Sequence, residues 1–145
     1  MALTLRSSLT TLVLGGVVAA VAACSGAQAS ELGATCEEFA ATPTIGQSAE
    51  LSIGQDISVA LCSNPSTGFS WEDATIGDPA LVTLVSQAYS APDEASLPIV
   101  GRAGGEVVKL HANAAGTTAV SLRYSRPWEG GEKGEWTYEL TVTVR

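Results

Sequence analysis

The last stretch of the chain, GEWTYELTVTVR (residues 134–145), alternates apolar and polar side chains without a break. Every second position is large and apolar, and only threonine or glutamate lies between them. The apolar positions are Trp136, Tyr138, Leu140, Val142 and Val144. Successive side chains of a β-strand point to opposite faces of the sheet. The pattern therefore predicts a strand with one face on a core and the other in water.

Shorter stretches of the same kind come before it, separated by Gly, Pro, Asn or Asp. They are ELSIGQDISVALC (50–62), FSWED (69–73), LVTLVSQAYS (81–90), EVVKLHANA (106–114) and TAVSLRYS (118–125). In the first, we expect Leu51 and Ile53 to share a face before a turn at Gly54. Six to eight short strands in roughly a hundred residues, with no long helical stripe, predict an all-β fold, an immunoglobulin-like antiparallel β-sandwich.

The chain begins with the features of an export signal. Arg6 precedes an apolar run over residues 9–21, and small residues follow it. Val21-Ala22-Ala23-Cys24 resembles the bacterial lipobox, so we predict a lipoprotein signal peptide (1–23) and a lipid on Cys24. The protein would then be exported and anchored to the cell membrane, facing outside the cytoplasm. A plain secretory signal that leaves Cys24 free is one alternative. An uncleaved membrane span is another, although the run is shorter than the roughly 20 residues a span requires.

Residues 24–44 are rich in Ala, Ser, Gly and Thr and have no apolar period, which predicts a lipidated tether in front of a domain at residues 45–145. Beyond residue 23, fifteen acidic residues face six basic ones, a net charge of about −9. Binding to phosphates needs a basic patch, so this charge argues against nucleic acid or anionic lipid as a partner. We expect a monomer whose contact with the membrane is made by its lipid.

The remaining cysteines, Cys36 and Cys62, would lie in a compartment where disulfides persist, and we predict that they pair. A metal or redox pair is the alternative, but the sequence has no CxxC spacing and one histidine, His111. His111 lies in a predicted strand, and no nucleophile, carboxylate pair or metal-ligand set accompanies it. We therefore expect no enzymatic activity, no metal and no cofactor.

Three predicted loops have unusual composition: NPSTGF (loop 1, residues 64–69), GRAGG (loop 2, residues 101–105) and RPWE (loop 3, residues 126–129). Each connects two predicted strands, so in a sandwich they could gather at one end. In loop 1, Pro65 fixes φ and Gly68 can adopt positive φ, which indicates a tip that is ordered before it binds.

NPSTGF, a glycine-rich loop and RPW, in this order on an exported all-β domain, resemble the chagasin family of cysteine protease inhibitors over residues 45–145. Loop 2 departs from the GxGG pattern by one extra residue counted from Gly101. The resemblance implies that the three loops enter the active-site cleft of a papain-like cysteine protease and block it reversibly. The protease-binding residues that it implies are Asn64, Pro65, Ser66, Thr67, Gly68, Phe69, Gly101, Arg102, Ala103, Gly104, Gly105, Arg126, Pro127 and Trp128.

Within loop 1, we expect Asn64 to hold the loop to itself, as Asn does in turns. The hydroxyls of Ser66 and Thr67 are expected to reach groups around the catalytic cysteine and histidine of the protease. A tight turn cannot present an extended carbonyl to an oxyanion hole, so the loop should resist cleavage.

In the other two loops, Gly104 and Gly105 are expected to allow strand-like pairing with the wall of the cleft. Trp128 follows a proline and is expected to be a binding hot spot. The alternative function is a lipid-anchored immunoglobulin-like adhesion or envelope-assembly module, which would bind through a sheet face or edge and have no protease target. A weak surface enzyme is a third possibility.

Overall fold

The computed structural model describes residues 32–92 and 101–145, so the predicted signal peptide and the lipidation of Cys24 lie outside the described residues. The described part contains nine strands, one α-helix and a 3-10 turn at Pro65–Thr67. The elements are β1 (Leu32–Ala34), α1 (Cys36–Ala41), β2 (Thr44–Leu51), β3 (Asp56–Ser63), β4 (Ser70–Trp71), β5 (Thr75–Ile76), β6 (Val82–Ser90), β7 (Gly104–Ala112), β8 (Gly116–Ser125) and β9 (Trp136–Val144).

The strands form two sheets. One has the order β1-β3-β7-β6, and the other has the order β2-β9-β8-β4, with β5 also paired to β8. The predicted immunoglobulin-like β-sandwich is confirmed, but both sheets are mixed, because β1 runs parallel to β3 and β2 runs parallel to β9. Alternation of side chains indicates which face is buried and not the direction of the neighbouring strand, so the pattern did not reveal these parallel pairs.

The core lies between the sheets and follows the alternating positions. On β9, Tyr138, Leu140, Val142 and Val144 are buried, and Trp136 at the start of the strand is half-buried. The buried residues of the other sheet include Val59, Leu61, Val108 and Leu110. Burying one large aliphatic or aromatic side chain contributes about 1.5–3 kcal/mol, so the alternating faces provide the main stabilisation of the sandwich.

The predicted position of Ile53 in a strand face is wrong. Strand β2 ends at buried Leu51, and Ile53 lies in the turn that follows, where its side chain is 57% exposed. The turn closes when the backbone N–H of Gln55 donates to the carbonyl of Ser52 at 3.0 Å, and Gly54 has φ of 85°. Alternation continues through the turn in the sequence, so it did not mark the end of the strand.

The predicted tether is wrong for residues 32–44, which belong to the folded domain. Strand β1 pairs with β3, and α1 begins with a capping box in which the side chains of Thr35 and Glu38 bond each other's backbone N–H groups. Phe39 on α1 is 0% exposed. One large apolar residue among small ones gives no periodic pattern, but it is sufficient to bury a short helix that is covalently attached to the core.

The attachment is the Cys36–Cys62 disulfide, which is confirmed and joins the first residue of α1 to β3 with Cα atoms 5.1 Å apart.

His111 lies on β7, where its Nδ1 is 2.5 Å from the Asp56 carboxylate. Within residues 32–92 and 101–145, no three metal-ligating side chains are grouped together. In the same ranges, no helix has the length and apolar character needed to cross a membrane.

Candidate functional site

Strand pairing brings the three loops to one end of the sandwich. Ser63 at the end of β3 is opposite Gly104 at the start of β7, so loops 1 and 2 leave the first sheet side by side. Ser70 at the start of β4 is opposite Ser125 at the end of β8, which places loops 1 and 3 next to each other in the second sheet. The predicted gathering of the loops therefore follows from the register of two sheets, with loop 1 in the middle.

The tip of loop 1 is a closed 3-10 turn. The backbone N–H of Thr67 donates to the carbonyl of Asn64 at 3.1 Å, and that of Gly68 donates to the carbonyl of Pro65 at 3.0 Å. Pro65 occupies the first turn, where its missing N–H costs nothing. Gly68 has φ of 82°, so its predicted positive φ is present in the structure. The tip is thus fixed by its own backbone before any partner arrives.

The polar side chains of loop 1 also bond within the molecule. The Ser66 hydroxyl donates to the Asn64 Oδ1 at 2.6 Å, and the Thr67 hydroxyl donates to the Asn64 carbonyl at 2.7 Å. Asn64 Nδ2 donates across to the carbonyl of Gly101 in loop 2 at 3.2 Å. Asn64 therefore holds the loop to itself, as expected. Because both hydroxyl protons are used, Ser66 and Thr67 offer acceptor lone pairs to a partner in this conformation.

Loops 1 and 3 are in direct contact through aromatic and cationic side chains. A Cβ on Gly68 would lie 2.8 Å from Cη2 of Trp128, so the indole covers the glycine. The Arg126 guanidinium lies 4.4 Å from the ring centroid of Phe69 and 5.9 Å from that of Trp128, which is typical of cation–π contacts. Trp128 remains 51% exposed. Its exposed part, next to the turn of loop 1, is a rigid apolar surface at the end of the domain.

The base of loop 3 extends beyond the predicted residues 126–129. The backbone N–H of Arg126 donates to the carbonyl of Glu132 at 2.8 Å, and Lys133 Nζ donates to the carbonyls of Arg126 and Trp128. A hydrogen bond with Glu132 raises the pKa of the Glu135 carboxyl, and partial desolvation adds to this effect. The loop is therefore a closed hairpin, with the carboxyl groups of Glu132 and Glu135 close together where its two arms meet the sheet.

Loop 2 differs from its prediction. Gly104 and Gly105 are part of β7, where they pair with Ser63 and Cys62 of β3, and Gly105 also pairs with Ser90 of β6. The expectation of strand-like pairing with a cleft wall is wrong for Gly105, because its backbone already lies between β3 and β6. For Gly104, which is in register with β3, it stays a prediction. Residues 101–103 remain for contact with a partner. Gly101 has φ of 87°, and Arg102 is exposed.

Gly104 has a packing role that the sequence did not indicate. A Cβ at this position would lie 2.4 Å from the carbonyl oxygen of Ser90 and 2.6 Å from the hydroxyl of Tyr89 on the neighbouring strand. No side chain fits into this space without moving the backbone of β6. The glycine therefore allows β6 and β7 to pair closely beneath loop 2.

Tyr124, which belongs to the predicted strand at residues 118–125, supports the loops in a way that the sequence did not indicate. Its hydroxyl accepts the backbone N–H of Asn64 at 2.8 Å, and its ring stacks on Phe69 with 5.4 Å between centroids. On its other side, the ring stacks on Trp136 at 4.7 Å. Both ends of loop 1 thus rest on Tyr124. In the sequence, Tyr124 is an alternating apolar residue of a strand, and only its position near Arg126 hints at loop contact.

Comparison with known proteins gives consistent results. The model of the family described as Chagasin family peptidase inhibitor I42 matches residues 50–142. Chagasin of Trypanosoma cruzi is 36% identical over 88 residues, which cover 59% of this chain and 77% of chagasin. Amoebiasin-2 of Entamoeba histolytica is 30% identical over 95 residues, which cover 66% of this chain and 75% of that protein.

Two solved structures share the fold. A cysteine protease inhibitor from Entamoeba histolytica superposes with a TM-score of 0.58 at 26% identity, over 70% of this chain and 94% of the inhibitor. PbICP-C, solved in complex with falcipain-2, superposes with a TM-score of 0.55 over 70% of this chain and 89% of PbICP-C, and its identity of 15% makes it a likeness of fold alone. Because the family model covers more than half of the sequence, this chain belongs to the chagasin family, whose members are peptidase inhibitors and not enzymes.

Proposed function

We propose that this protein inhibits papain-like cysteine proteases reversibly by placing loops 1, 2 and 3 in the active-site cleft. The observation that carries the proposal is that all three loops meet at one end of the sandwich, around the closed turn of loop 1. The structural similarity to a cysteine protease inhibitor from Entamoeba histolytica supports the choice of target class.

The turn of loop 1 gives a physical reason for resistance to cleavage. A papain-like protease attacks a carbonyl that lies in an extended segment with its oxygen in the oxyanion hole. In loop 1, the carbonyl of Asn64 already accepts bonds from the Thr67 N–H and the Thr67 hydroxyl, and that of Pro65 accepts the Gly68 N–H. Extending the loop would break these bonds and the contact between Gly68 and Trp128, so the bound loop stays intact.

The same closed turn favours affinity. A flexible loop loses conformational entropy when it docks, at a cost of about 0.5–1.5 kcal/mol for each immobilised side chain. Loop 1 is already ordered by Asn64, Tyr124 and Phe69, so most of this cost is met during folding. The exposed part of Trp128 then supplies apolar area for a wall of the cleft.

A titration of papain with the full chain in a mild detergent tests the function. We expect stoichiometric loss of activity toward a peptide substrate, recovery of activity on dilution, and an intact inhibitor by mass spectrometry after long incubation. Cleavage between residues 64 and 69 at the rate of an ordinary substrate, or no inhibition at micromolar concentration, would refute the proposal. Lys109→Ala, an exposed change on β7, serves as the control variant and should inhibit like the wild type.

The second part of the proposal is location. We infer from the lipobox-like Val21-Ala22-Ala23-Cys24 that residues 1–23 are a lipoprotein signal peptide and that a lipid on Cys24 anchors the exported inhibitor to the cell membrane. Inhibition would then be confined to the vicinity of the cell envelope. Cys24→Ser should move the protein from the membrane fraction to the soluble fraction. If the variant stays in the membrane fraction, the apolar run is an uncleaved span and the lipobox interpretation is wrong.

A further inference from the structure

The segment of residues 32–41, here called the N-terminal brace, comprises β1 and α1 and precedes the residues matched by the family model, 50–142. It is nevertheless part of the folded core. Phe39 is completely buried, and Cys36 is bonded to Cys62 at the end of β3. Cys62 lies two residues before loop 1. The brace is therefore attached to the domain close to the loop that forms the centre of the candidate site.

The start of the brace is fixed to both sheets. Leu32 is in register with Val59 of β3 in the first sheet. Gln47 of β2 in the second sheet accepts the Gly33 N–H at 2.9 Å and donates to the Gly33 carbonyl at 3.0 Å. The Tyr138 hydroxyl also donates to Gln47 Oε1 at 2.6 Å, and burial raises the pKa of Tyr138 to about 12, so the donor keeps its proton. The two hydrogen bonds between the Gly33 backbone and the Gln47 side chain hold the brace at the edge of the sandwich.

The end of the brace contributes a ring to an aromatic stack beneath the loops. Phe39 stacks on Trp136 with 4.9 Å between centroids and 9° between planes, and it lies 5.5 Å from Trp71. Trp136 stacks in turn on Tyr124 at 4.7 Å and 9°. Stacked aromatic pairs are worth about 0.5–1.5 kcal/mol beyond their buried area, and each ring fixes the plane of the next.

Both ends of loop 1 rest on this stack. The first residue, Asn64, donates its N–H to the Tyr124 hydroxyl, and the last, Phe69, stacks on the Tyr124 ring. The indole N–H of Trp71 donates to the carbonyl of Cys62 at 2.9 Å, which links the stack to the disulfide as well. The contacts thus run without a gap from the brace to the turn that would enter the cleft.

We propose that the N-terminal brace positions loop 1 for inhibition, with Phe39 and the Cys36–Cys62 disulfide as its positioning residues. This inference rests on the proposed function of loop 1 and assigns a role to residues beyond the family match. Removal of the Phe39 ring leaves a cavity beside Trp136, so Trp136 and Tyr124 can move and the turn loses its fixed support. The brace does not touch the protease in this scheme, and its effect on affinity comes from the order that it gives loop 1.

The first test needs no protease and uses amide hydrogen exchange on the full chain in a mild detergent. We compare Phe39→Ala with Val82→Ala, because Val82 is also 0% exposed but pairs with Ala112 at the opposite end of the sandwich. The Asn64 and Gly68 amides should exchange about tenfold faster in Phe39→Ala than in Val82→Ala. Equal rates in the two variants would overturn the proposal. If Phe39→Ala does not fold, Phe39→Leu decides in the same comparison.

The second test measures the inhibition constant with papain that was activated by a thiol and then freed of it, so that the disulfide remains intact. Phe39→Ala and the double variant Cys36→Ser with Cys62→Ser should weaken inhibition about tenfold, while Val82→Ala stays within about twofold of the wild type. Unchanged inhibition by the first two variants would overturn the proposal. If the wild type itself does not inhibit, the proposed function fails, and the exchange rates still decide whether the brace orders loop 1.

Discussion

Two separate constraints require glycine at position 68, its backbone conformation and its packing against Trp128, and Gly54 has only the first of them. Its φ of 82° is a conformation that side chains other than glycine rarely adopt, and its missing Cβ makes room for the Trp128 ring. Gly54, in the turn after β2, has φ of 85°, but no described atom lies within 4 Å of its Cβ position. The two glycines therefore share the backbone constraint and differ in the packing constraint.

The first prediction compares Gly54 with Gly68. Gly54→Ala and Gly68→Ala should each lower the free energy of unfolding by about 1–2 kcal/mol, the cost of a left-handed conformation with a Cβ. Gly68→Ala alone should weaken protease inhibition, because its methyl group displaces Trp128. Urea unfolding and inhibition constants measure the two effects. Weaker inhibition by Gly54→Ala, or unchanged inhibition by Gly68→Ala, would contradict the contact between loops 1 and 3.

The second prediction concerns how affinity is divided among side chains of the loops. Trp128→Ala should weaken binding to papain by about 2 kcal/mol or more, mainly through faster dissociation, because large exposed aromatic residues are the usual hot spots. Thr67→Ala should cost less, about 0.5–1.5 kcal/mol, since its hydroxyl makes one neutral hydrogen bond within the turn. Surface plasmon resonance gives both rate constants. A larger loss for Thr67→Ala than for Trp128→Ala would contradict this ranking.

At the scale of elements, the hairpin that carries loop 3 has a closed tip, and at its other end lies a pair of carboxyl groups whose contact depends on pH. The tip is closed by the Gly131 N–H, which donates to the carbonyl of Trp128 at 3.1 Å. At the base, Glu132 lies 3.9 Å from the Arg126 guanidinium and shares a hydrogen bond with Glu135. A hydrogen bond between two carboxyl groups requires that one is protonated. Protonation of Glu135 therefore favours its contact with Glu132.

The third prediction is a pH dependence with a definite sign. The pKa of Glu135 is raised above its ordinary value of 4.5, first by the bond with Glu132 and then by desolvation. The resulting stabilisation is complete below pH 4.5 and is lost as the pH rises through the raised pKa of Glu135. Thermal unfolding of the wild type should therefore show a loss of this component as the pH rises above about 4.5.

Glu135→Gln is the matched control for this dependence, because the amide donates to Glu132 at every pH. Desolvation also raises the pKa of Glu106, which contributes a dependence of the same sign that the variant keeps. Hydrogen bonds from Thr35 lower the pKa of Glu38, and its contribution is lost only as the pH falls below 4.5. The variant should therefore show a smaller slope than the wild type above pH 4.5. Identical slopes would contradict the shared proton.

At the scale of the whole molecule, the sandwich is closed by contacts between residues far apart in sequence. The parallel pairing of β2 with β9 joins residues 44–51 to residues 137–144, and the disulfide joins α1 to β3. The end with the loops contains the aromatic stack and the disulfide. The opposite end contains ordinary turns such as the one at Gly54. The disulfide and the aromatic stack therefore stabilise the same end of the molecule that carries the candidate site.

The fourth prediction follows from the disulfide, which connects cysteines 26 positions apart. By the chain-entropy estimate, a closed loop of this size stabilises the folded state by about 3 kcal/mol. The double variant Cys36→Ser with Cys62→Ser should lose about this amount in urea unfolding. Cys24→Ser, which leaves the disulfide intact, is the control and should unfold like the wild type. Equal stability of the double variant and the control would contradict a structural role for the bond.

The sequence by itself determined those features that depend on neighbouring residues. The alternation in residues 134–145 predicted the buried face of β9, because side-chain direction in a strand follows from position alone. Pro65 and Gly68 predicted an ordered turn for the same reason, since φ preferences are local. NPSTGF, the glycine-rich loop and RPW, in this order on an exported all-β domain, were sufficient to indicate the family.

Only the tertiary structure decided features that depend on distant residues. Phe39 is one aromatic residue in a stretch of small ones, and its burial against Trp136 required the far end of the chain to be in place. Gly104 and Gly105 resembled an exposed loop until the register with β3 and β6 placed them inside a sheet. Pairing register and stacking partners arise from the free energy of the whole core, so no local pattern records them.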